Sequence, residues 1–152
     1  MKMIGVLKRG GVALALLAAL PVLADEWLVT EQEARLSRAA PAMPEAKAVP
    51  APGAPRIVLL QPDVSAAVAS PTRIQLRFEP QGEASIRTDT FKVRYGTLRL
   101  DITQRITAVS AVTPQGIDVS EAKLPKGAHR LYMEVQDSAG RTGERAVSFV
   151  VD

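Results

Sequence analysis

The chain has 152 residues, enough for one domain rather than two, and it contains no cysteine. The missing cysteines exclude a disulfide framework, a thiol nucleophile and a thiolate metal site. The formal net charge is +3, but three of the 19 basic residues lie within residues 1–24, and the rest of the chain has as many basic as acidic side chains. A charge excess confined to the first residues is no evidence for nucleic-acid binding, so we expect no nucleic-acid partner.

Residues 1–24 have the pattern of a secretory signal peptide. Basic residues come first, and an apolar run at 12–20 is followed by the small residue Ala24. The run is too short to span a bilayer, so we expect cleavage before Asp25, with a retained membrane anchor as the alternative. The sequence therefore predicts a periplasmic or secreted protein with no transmembrane segment after cleavage.

Residues 25–38 predict a short amphipathic helix that begins with a capping box. Thr30 is followed three residues later by Glu33, so that each side chain can bind the other's backbone N–H. A helix of about two turns is not stable alone, and its apolar side chains need a surface. Either they fold back onto the rest of the chain, or the segment docks into a groove of another protein. These apolar side chains are Trp27, Leu28, Val29 and Leu36.

Residues 39–55 form a linker rich in proline and alanine. Such a tract favours an extended, semi-rigid spacer, because proline has no backbone N–H and a restricted backbone. The length of this spacer favours docking on another protein, since a helix that packs on its own domain does not need so long a connection. The prolines are Pro41, Pro44, Pro50, Pro52 and Pro55.

Residues 56–152 alternate apolar and polar side chains in short runs, which is the period of half-buried strands. About seven runs, with turn residues roughly every ten positions, predict an all-β sandwich. The first run ends at Pro62 and should lie at a sheet edge. Residues 106–112 fit either a strand or an irregular arm, and no helix is expected after Arg38. The runs cover residues 56–61, 74–79, 91–95, 98–102, 117–119, 130–136 and 147–151.

The last two runs predict a closing hairpin. Leu131, Met133 and Val135 share one strand face, and residues 137–140 have Asp first and Gly fourth, as in a type I turn. One hairpin cannot bury its apolar face alone, so the upstream strands must supply the facing layer.

Several short motifs carry a resemblance over residues 56–152. They are Ser70-Pro71 before 74–78, residues 90–95 before 101–103, then 124–129, 137–140 and the terminal 149–151. Together they resemble the bacterial Ig-like domains of envelope and surface proteins. The resemblance implies a single Ig-like β-sandwich, in a family whose members are mostly spacers, adhesion modules or accessory domains. It also implies that His129 hydrogen-bonds the loop before its strand, as the tyrosine corner of related sandwiches does.

The residue inventory favours neither catalysis nor a cofactor or metal site. His129 is the only histidine, and a transition metal needs a second nitrogen or sulfur ligand. Asp137 is one acid, whereas calcium needs six or more oxygens, so Asp137 is better explained as a turn residue. We therefore expect a protein without enzymatic activity, and a hydrolase or metal carrier is disfavoured.

A strand face is the remaining candidate surface. If the third strand lies beside the closing hairpin, Lys92, Arg94, Arg130 and Tyr132 face outward from one sheet. A tyrosine among basic groups suits contact with an acidic protein or polyanion. The alternative is a solvated face whose charges prevent edge-to-edge pairing.

The sequence thus predicts an exported, non-enzymatic binding or accessory module whose partner is another envelope protein. The competing hypothesis is a structural spacer or a stabilising subunit of an envelope assembly. The expected partner-binding residues are Trp27, Leu28, Leu36, Lys92, Arg94, Arg130 and Tyr132.

Overall fold

The computed structural model describes residues 26–45 and 49–152. The predicted signal peptide and Asp25 lie outside the described residues, and so do residues 46–48 of the linker. No helix in the described part is long and apolar enough to cross a membrane. The elements in chain order are α1 Glu31–Ala39, β1 Arg56–Gln61, β2 Thr72–Glu79, β3 Ile86–Tyr95, β4 Leu100–Asp101, α2 Thr103–Val109, β5 Gly116–Ala122, β6 Gly127–Asp137 and β7 Thr142–Val151.

The strands form two antiparallel sheets, ordered β1-β2-β5 and β4-β3-β6-β7. Their apolar faces meet in one core, in which the rings of Phe78 on β2 and Phe91 on β3 lie 5.5 Å apart between centroids. The prediction of a mostly β chain with about seven strands is confirmed, and the fold is sandwich-like. The edge position of β1 is confirmed as well.

The closing hairpin forms as expected. β6 and β7 pair from Gly127 opposite Val151 to Gln136 opposite Thr142, and the apolar face of β6 is buried. Gly140 N–H donates to the carbonyl of Asp137 at 3.0 Å, which closes the turn. The buried Asp137 carboxylate accepts the N–H groups of Ala139 and Arg141. Its predicted role as a turn residue is thereby confirmed.

The predicted capping box is present at the start of α1. Thr30 N–H donates to Glu33 Oε2 at 2.9 Å, and Glu33 N–H donates to Thr30 Oγ1 at 3.2 Å. The segment folds back onto its own domain, because Leu28 and Val29 are part of the core and Leu28 N–H donates to the carbonyl of Lys123. Of the two alternatives left open by the sequence, the structure adopts the intramolecular one.

The C-terminal end of α1 packs against the corner between β3 and β4. Gly96 has a φ of 64°, and a Cβ there would come within 1.9 Å of Ser37 Oγ. That oxygen accepts the N–H of Thr97 at 2.9 Å. A glycine is needed at this corner both for its backbone conformation and for the close approach of the helix.

The linker differs from the extended spacer that its composition predicts. Ala54 and Pro55 are buried, and the side-chain amide of Gln81 donates to the Ala54 carbonyl at 3.1 Å. A Cβ on Gly143 would lie 1.9 Å from the Pro55 carbonyl oxygen, so the linker's last residues pack directly on β7. The end of the linker is therefore part of the packed domain.

Two expectations between β3 and β5 are wrong. The predicted strand at 98–102 is reduced to the two residues of β4, and Leu98 is exposed. A helix, α2, stands where none was expected. Its first turn is held by Thr103, whose N–H binds the Asp101 carboxylate and whose hydroxyl accepts the N–H of Val93. Ile106 is its one buried residue, so its sequence contains no helical period to recognise.

Candidate basic face on the four-stranded sheet

The predicted outward-facing residues lie on adjacent strands. β3 pairs with β6, which sets Arg94 opposite Tyr132 and Lys92 opposite Glu134. Their sequence neighbours on both strands are buried, so these side chains project from the opposite, solvent-facing side of the sheet. The expected geometry of the face is confirmed.

Arg130 and Tyr132 converge on a single carboxylate. Arg130 Nη2 donates to Glu45 Oε2 at 2.6 Å, and the Tyr132 hydroxyl donates to Glu45 Oε1 at 2.7 Å. Glu45 belongs to the linker, more than 80 residues earlier in the chain. The two residues thus form an anion-binding site, and an acidic side chain of the same molecule occupies it.

Arg99 completes this site and was missed by the sequence analysis. Its guanidinium carbon lies 3.3 Å from the centroid of the Tyr132 ring, and its Nη2 is 3.9 Å from Glu45 Oε1. The stacking is a cation–π contact, which holds the guanidinium beside the phenol. The alternation of residues 98–102 predicts a strand that includes Arg99, although Gly96 three residues before it signals a turn. Arg99 N–H donates to the Gly96 carbonyl, which closes that turn.

The backbone of Arg99 is itself unusual. Its φ is 53°, and among the described residues it is the one non-glycine residue with a positive φ. This conformation costs free energy for a residue with a Cβ, and such residues concentrate where geometry serves a function. Arg99 adopts it at the end of the turn from Gly96, and its guanidinium stacks on Tyr132.

The other two predicted residues belong to a different part of the face. Arg94 donates to both oxygens of Glu134, at 3.0 and 3.4 Å, in a pair across the strands. Lys92 is exposed beside that pair. The predicted set therefore divides: Arg130 and Tyr132 bind the Glu45 carboxylate, while Arg94 neutralises a neighbouring strand residue.

The site favours a charged carboxylate. The hydrogen bond from Tyr132 lowers the pKa of Glu45, and the nearby Arg130 and Arg99 lower it further. Burial raises the pKa of Tyr132, and its hydrogen bond to Glu45 adds to the rise. At neutral pH a neutral phenol and two guanidinium groups therefore surround one anion.

A cleft of about 640 Å³ adjoins the bound carboxylate, between the linker and the sheet. Its described lining includes Glu45 and Tyr132 and extends past the Arg94–Glu134 pair toward β7. Apart from Glu45, the described acidic and basic side chains that line it are two glutamates and four arginines: Glu134, Glu144, Arg94, Arg99, Arg141 and Arg145. Arg94 is paired with Glu134 and Arg141 with the buried Asp137, so the charges along this cleft are largely balanced.

The predicted residues of the helical segment are separated by the fold. Leu28 is 6% exposed and belongs to the core, so it is not accessible to a partner. Trp27 is 43% exposed and Leu36 is 54% exposed. The segment is also held by Glu33, whose carboxylate accepts hydrogen bonds from both terminal nitrogens of Arg105, at 2.8 and 2.7 Å. These hydrogen bonds are the main reason that the pKa of Glu33 falls to about 2.

His129 has the structural role expected of it. It is buried, its Nε2 lies 2.6 Å from the carbonyl oxygen of Pro125, and its Nδ1 lies 2.9 Å from the Tyr95 hydroxyl. A carbonyl can only accept, so Nε2–H donates to Pro125 and Nδ1 accepts from Tyr95. Burial lowers the pKa of His129, which favours this neutral form. Both ring nitrogens are engaged, and the ring stacks on Phe149.

Neither a metal-binding cluster among the described residues nor a related protein indicates a different functional site. Within residues 26–45 and 49–152, no group of three or more histidine or acidic side chains is placed to hold a metal ion. No protein-family model, curated protein or solved structure matches the chain at a significant level. The function is therefore inferred from the geometry of the chain's own residues.

Proposed function

We propose that the chain is an exported, non-enzymatic Ig-like module that acts through protein–protein contacts in the bacterial cell envelope. The observation that carries this proposal is the convergence of Arg99, Arg130 and Tyr132 on one carboxylate outside the four-stranded sheet. Such a group of fixed donors on an accessible face recognises an acidic residue with defined geometry.

The strand order supports the Ig-like assignment. In Ig-type sandwiches strands A, B and E share one sheet, and strands C, F and G share the other, with C′ beside C in some members. Taken in chain order as A, B, C, C′, E, F and G, the seven strands here have those neighbours. α2 occupies the chain position between C′ and E, where strand D would stand.

His129 supports the same assignment. It lies near the start of β6, the strand equivalent to F, and binds a carbonyl four residues upstream. The tyrosine corner of Ig domains makes the same connection from the same place. Because Nε2 donates to Pro125 and Nδ1 accepts from Tyr95, both ring nitrogens are engaged, and the histidine supports a non-enzymatic function rather than catalysis.

Photo-crosslinking from the two outer faces tests the proposal. A photoreactive residue at Lys92 samples the basic face, and one at Arg77 samples the exposed outer face of the three-stranded sheet. We expect a discrete crosslinked protein from Lys92 in the host envelope, lost when Arg130 is changed to Gln, and no product from Arg77. Equal products from both faces, or a Lys92 product unaffected by Arg130→Gln, would contradict the proposal.

The alternative is a structural spacer or stabilising subunit. The observation in its favour is the intramolecular packing of Leu28 and Val29, which makes the helical segment part of the fold rather than a free docking peptide. A spacer requires no specific face. It therefore predicts no difference between the crosslinks formed from Lys92 and those formed from Arg77.

Export is tested by intact-mass measurement of the periplasmic or secreted protein. We expect a mature chain that begins at Asp25. Recovery of the full-length chain in membranes would contradict cleavage and would favour a retained anchor.

A further inference from the structure

We propose that Glu45 is an intramolecular substitute for a partner's carboxylate, and that an acidic peptide segment of the partner displaces it from Arg99, Arg130 and Tyr132. This inference rests on the proposed function, because it names the chemistry of the partner and the regulation of the same surface. In the free protein Glu45 occupies the site, so a partner's carboxylate must compete with Glu45 to bind there.

The contacts of Glu45 are those of a ligand rather than of a core residue. Residues 41–45 are exposed, and the side chain of Met43, two positions earlier, is 74% exposed. Glu45 nevertheless places each carboxylate oxygen within 2.7 Å of a donor on β6. An exposed segment that makes its defined contacts through one ionised side chain can leave without opening the core.

The receiving side of the site is assembled independently of the linker. The backbones of Arg130 and Tyr132 are fixed by the paired strands, and Arg99 is held by the turn from Gly96 and by its stacking on Tyr132. When Glu45 leaves, two guanidinium groups and a phenol remain directed at the same position. This is a preformed site, which avoids much of the cost of ordering a binding surface.

Charge and space favour an acidic peptide as the incoming group. The position that Glu45 vacates has Arg99, Arg130 and the Tyr132 hydroxyl around it, and the cleft beside it measures about 640 Å³. A peptide can place one carboxylate in the site and extend further side chains along this cleft. The incoming group is therefore an acidic segment of a protein.

Binding of a fluorescein-labelled hexaglutamate peptide, measured by anisotropy, tests the competition. Glu45→Gln keeps the shape of the side chain but removes the charge that holds it in the site. If Glu45 fills the site nine-tenths of the time, removing it strengthens peptide binding about tenfold, because only the open fraction of the wild type can bind. Adding Arg130→Gln to that variant should abolish the gain.

Two controls isolate the effect. Glu83→Gln makes the same change in net charge at an exposed position in the β2–β3 connection, and should leave peptide affinity near the wild-type value. Tyrosine titration of wild type and Glu45→Gln reports whether Glu45 occupies the site. We expect the pKa of Tyr132 to fall in the variant, because a neighbouring negative charge has been removed.

The outcomes separate this inference from the proposed function. Equal peptide affinities of wild type and Glu45→Gln, or an unchanged Tyr132 titration, overturn the substitution by Glu45, whatever the crosslinks show. A gain of binding for a heparin oligosaccharide but not for hexaglutamate overturns the peptide assignment. A crosslinked partner from Lys92 together with equal peptide affinities would leave the proposed function standing and this inference refuted.

Discussion

Two stretches that precede the strands attach to the sandwich by different physics. Residues 28–37 place Leu28, Val29 and Ala34 in the core, and Glu33 binds Arg105 at the edge of that contact. Residues 41–45 stay exposed and reach the sheet through the Glu45 carboxylate. Apolar burial is lost only when the structure opens, whereas an exposed ionic contact can be replaced by another anion. The difference separates a structural attachment from an exchangeable one.

Substitutions in the core should give the largest losses in the free energy of unfolding. Phe149 is buried and stacks on His129, so Phe149→Ala should lower the free energy of unfolding by about 3–5 kcal/mol. Arg77→Ala, on an exposed side of β2, should cost well under about 1 kcal/mol. Chemical denaturation measures both, and a larger loss for Arg77→Ala would contradict the assignment of inner and outer faces.

The leucines of the helical segment test whether it shares that core. Leu28→Ala should lower the free energy of unfolding by about 2–5 kcal/mol, because it leaves a cavity among buried neighbours. The same change at Leu36, which is 54% exposed, should cost less than about 0.5 kcal/mol. If denaturant melts show equal small losses, the segment is attached no more firmly than the linker.

The Glu33–Arg105 pair adds a smaller, pH-dependent contribution of about 1 kcal/mol, since the pair is partly exposed. The pKa of Glu33 is about 2 in the folded protein and 4.5 in the reference state. A lowered folded pKa stabilises the protein above pH 4.5, and the contribution disappears as the pH falls from 4.5 toward 2.

Thermal melts of wild type and Glu33→Gln across that range measure this contribution. The two melting temperatures should differ at neutral pH and converge near pH 2. Glu31→Gln, which affects an exposed pair within the helix, is the matched control and should show little difference at either pH. A difference between wild type and Glu33→Gln that persists unchanged to pH 2 would contradict the assignment.

Trp27 should have the smallest effect on stability. It is the only tryptophan and is 43% exposed, so its fluorescence should be red-shifted and readily quenched by iodide. Trp27→Ala should leave the unfolding midpoint unchanged, and partner binding should shift the emission to the blue if Trp27 contributes to an interface. A blue-shifted, quench-resistant emission in the isolated protein, with a lowered midpoint in the variant, would assign Trp27 to the fold instead.

Strand periodicity was informative because burial repeats along each strand. The alternating residues of β2, β6 and β7 identify their inner faces directly, since successive side chains point to opposite sides of a sheet. The capping box at Thr30 and the turn at Asp137 were recognisable for a related reason, because each depends on residues a few positions apart. α2 was not recognisable, because it buries one residue and takes its first turn from contacts with Val93.

The candidate site shows the same division. By itself the sequence determined that Arg130 and Tyr132 share the outer face of β6, because local alternation decides on which side of a strand a residue lies. Only the tertiary structure decided that Arg99 stacks on Tyr132, that Glu45 is the anion they bind, and that Leu28 is buried while Leu36 is not. Those contacts join residues far apart in the chain, and no local pattern encodes which distant side chains the packed sheets bring together.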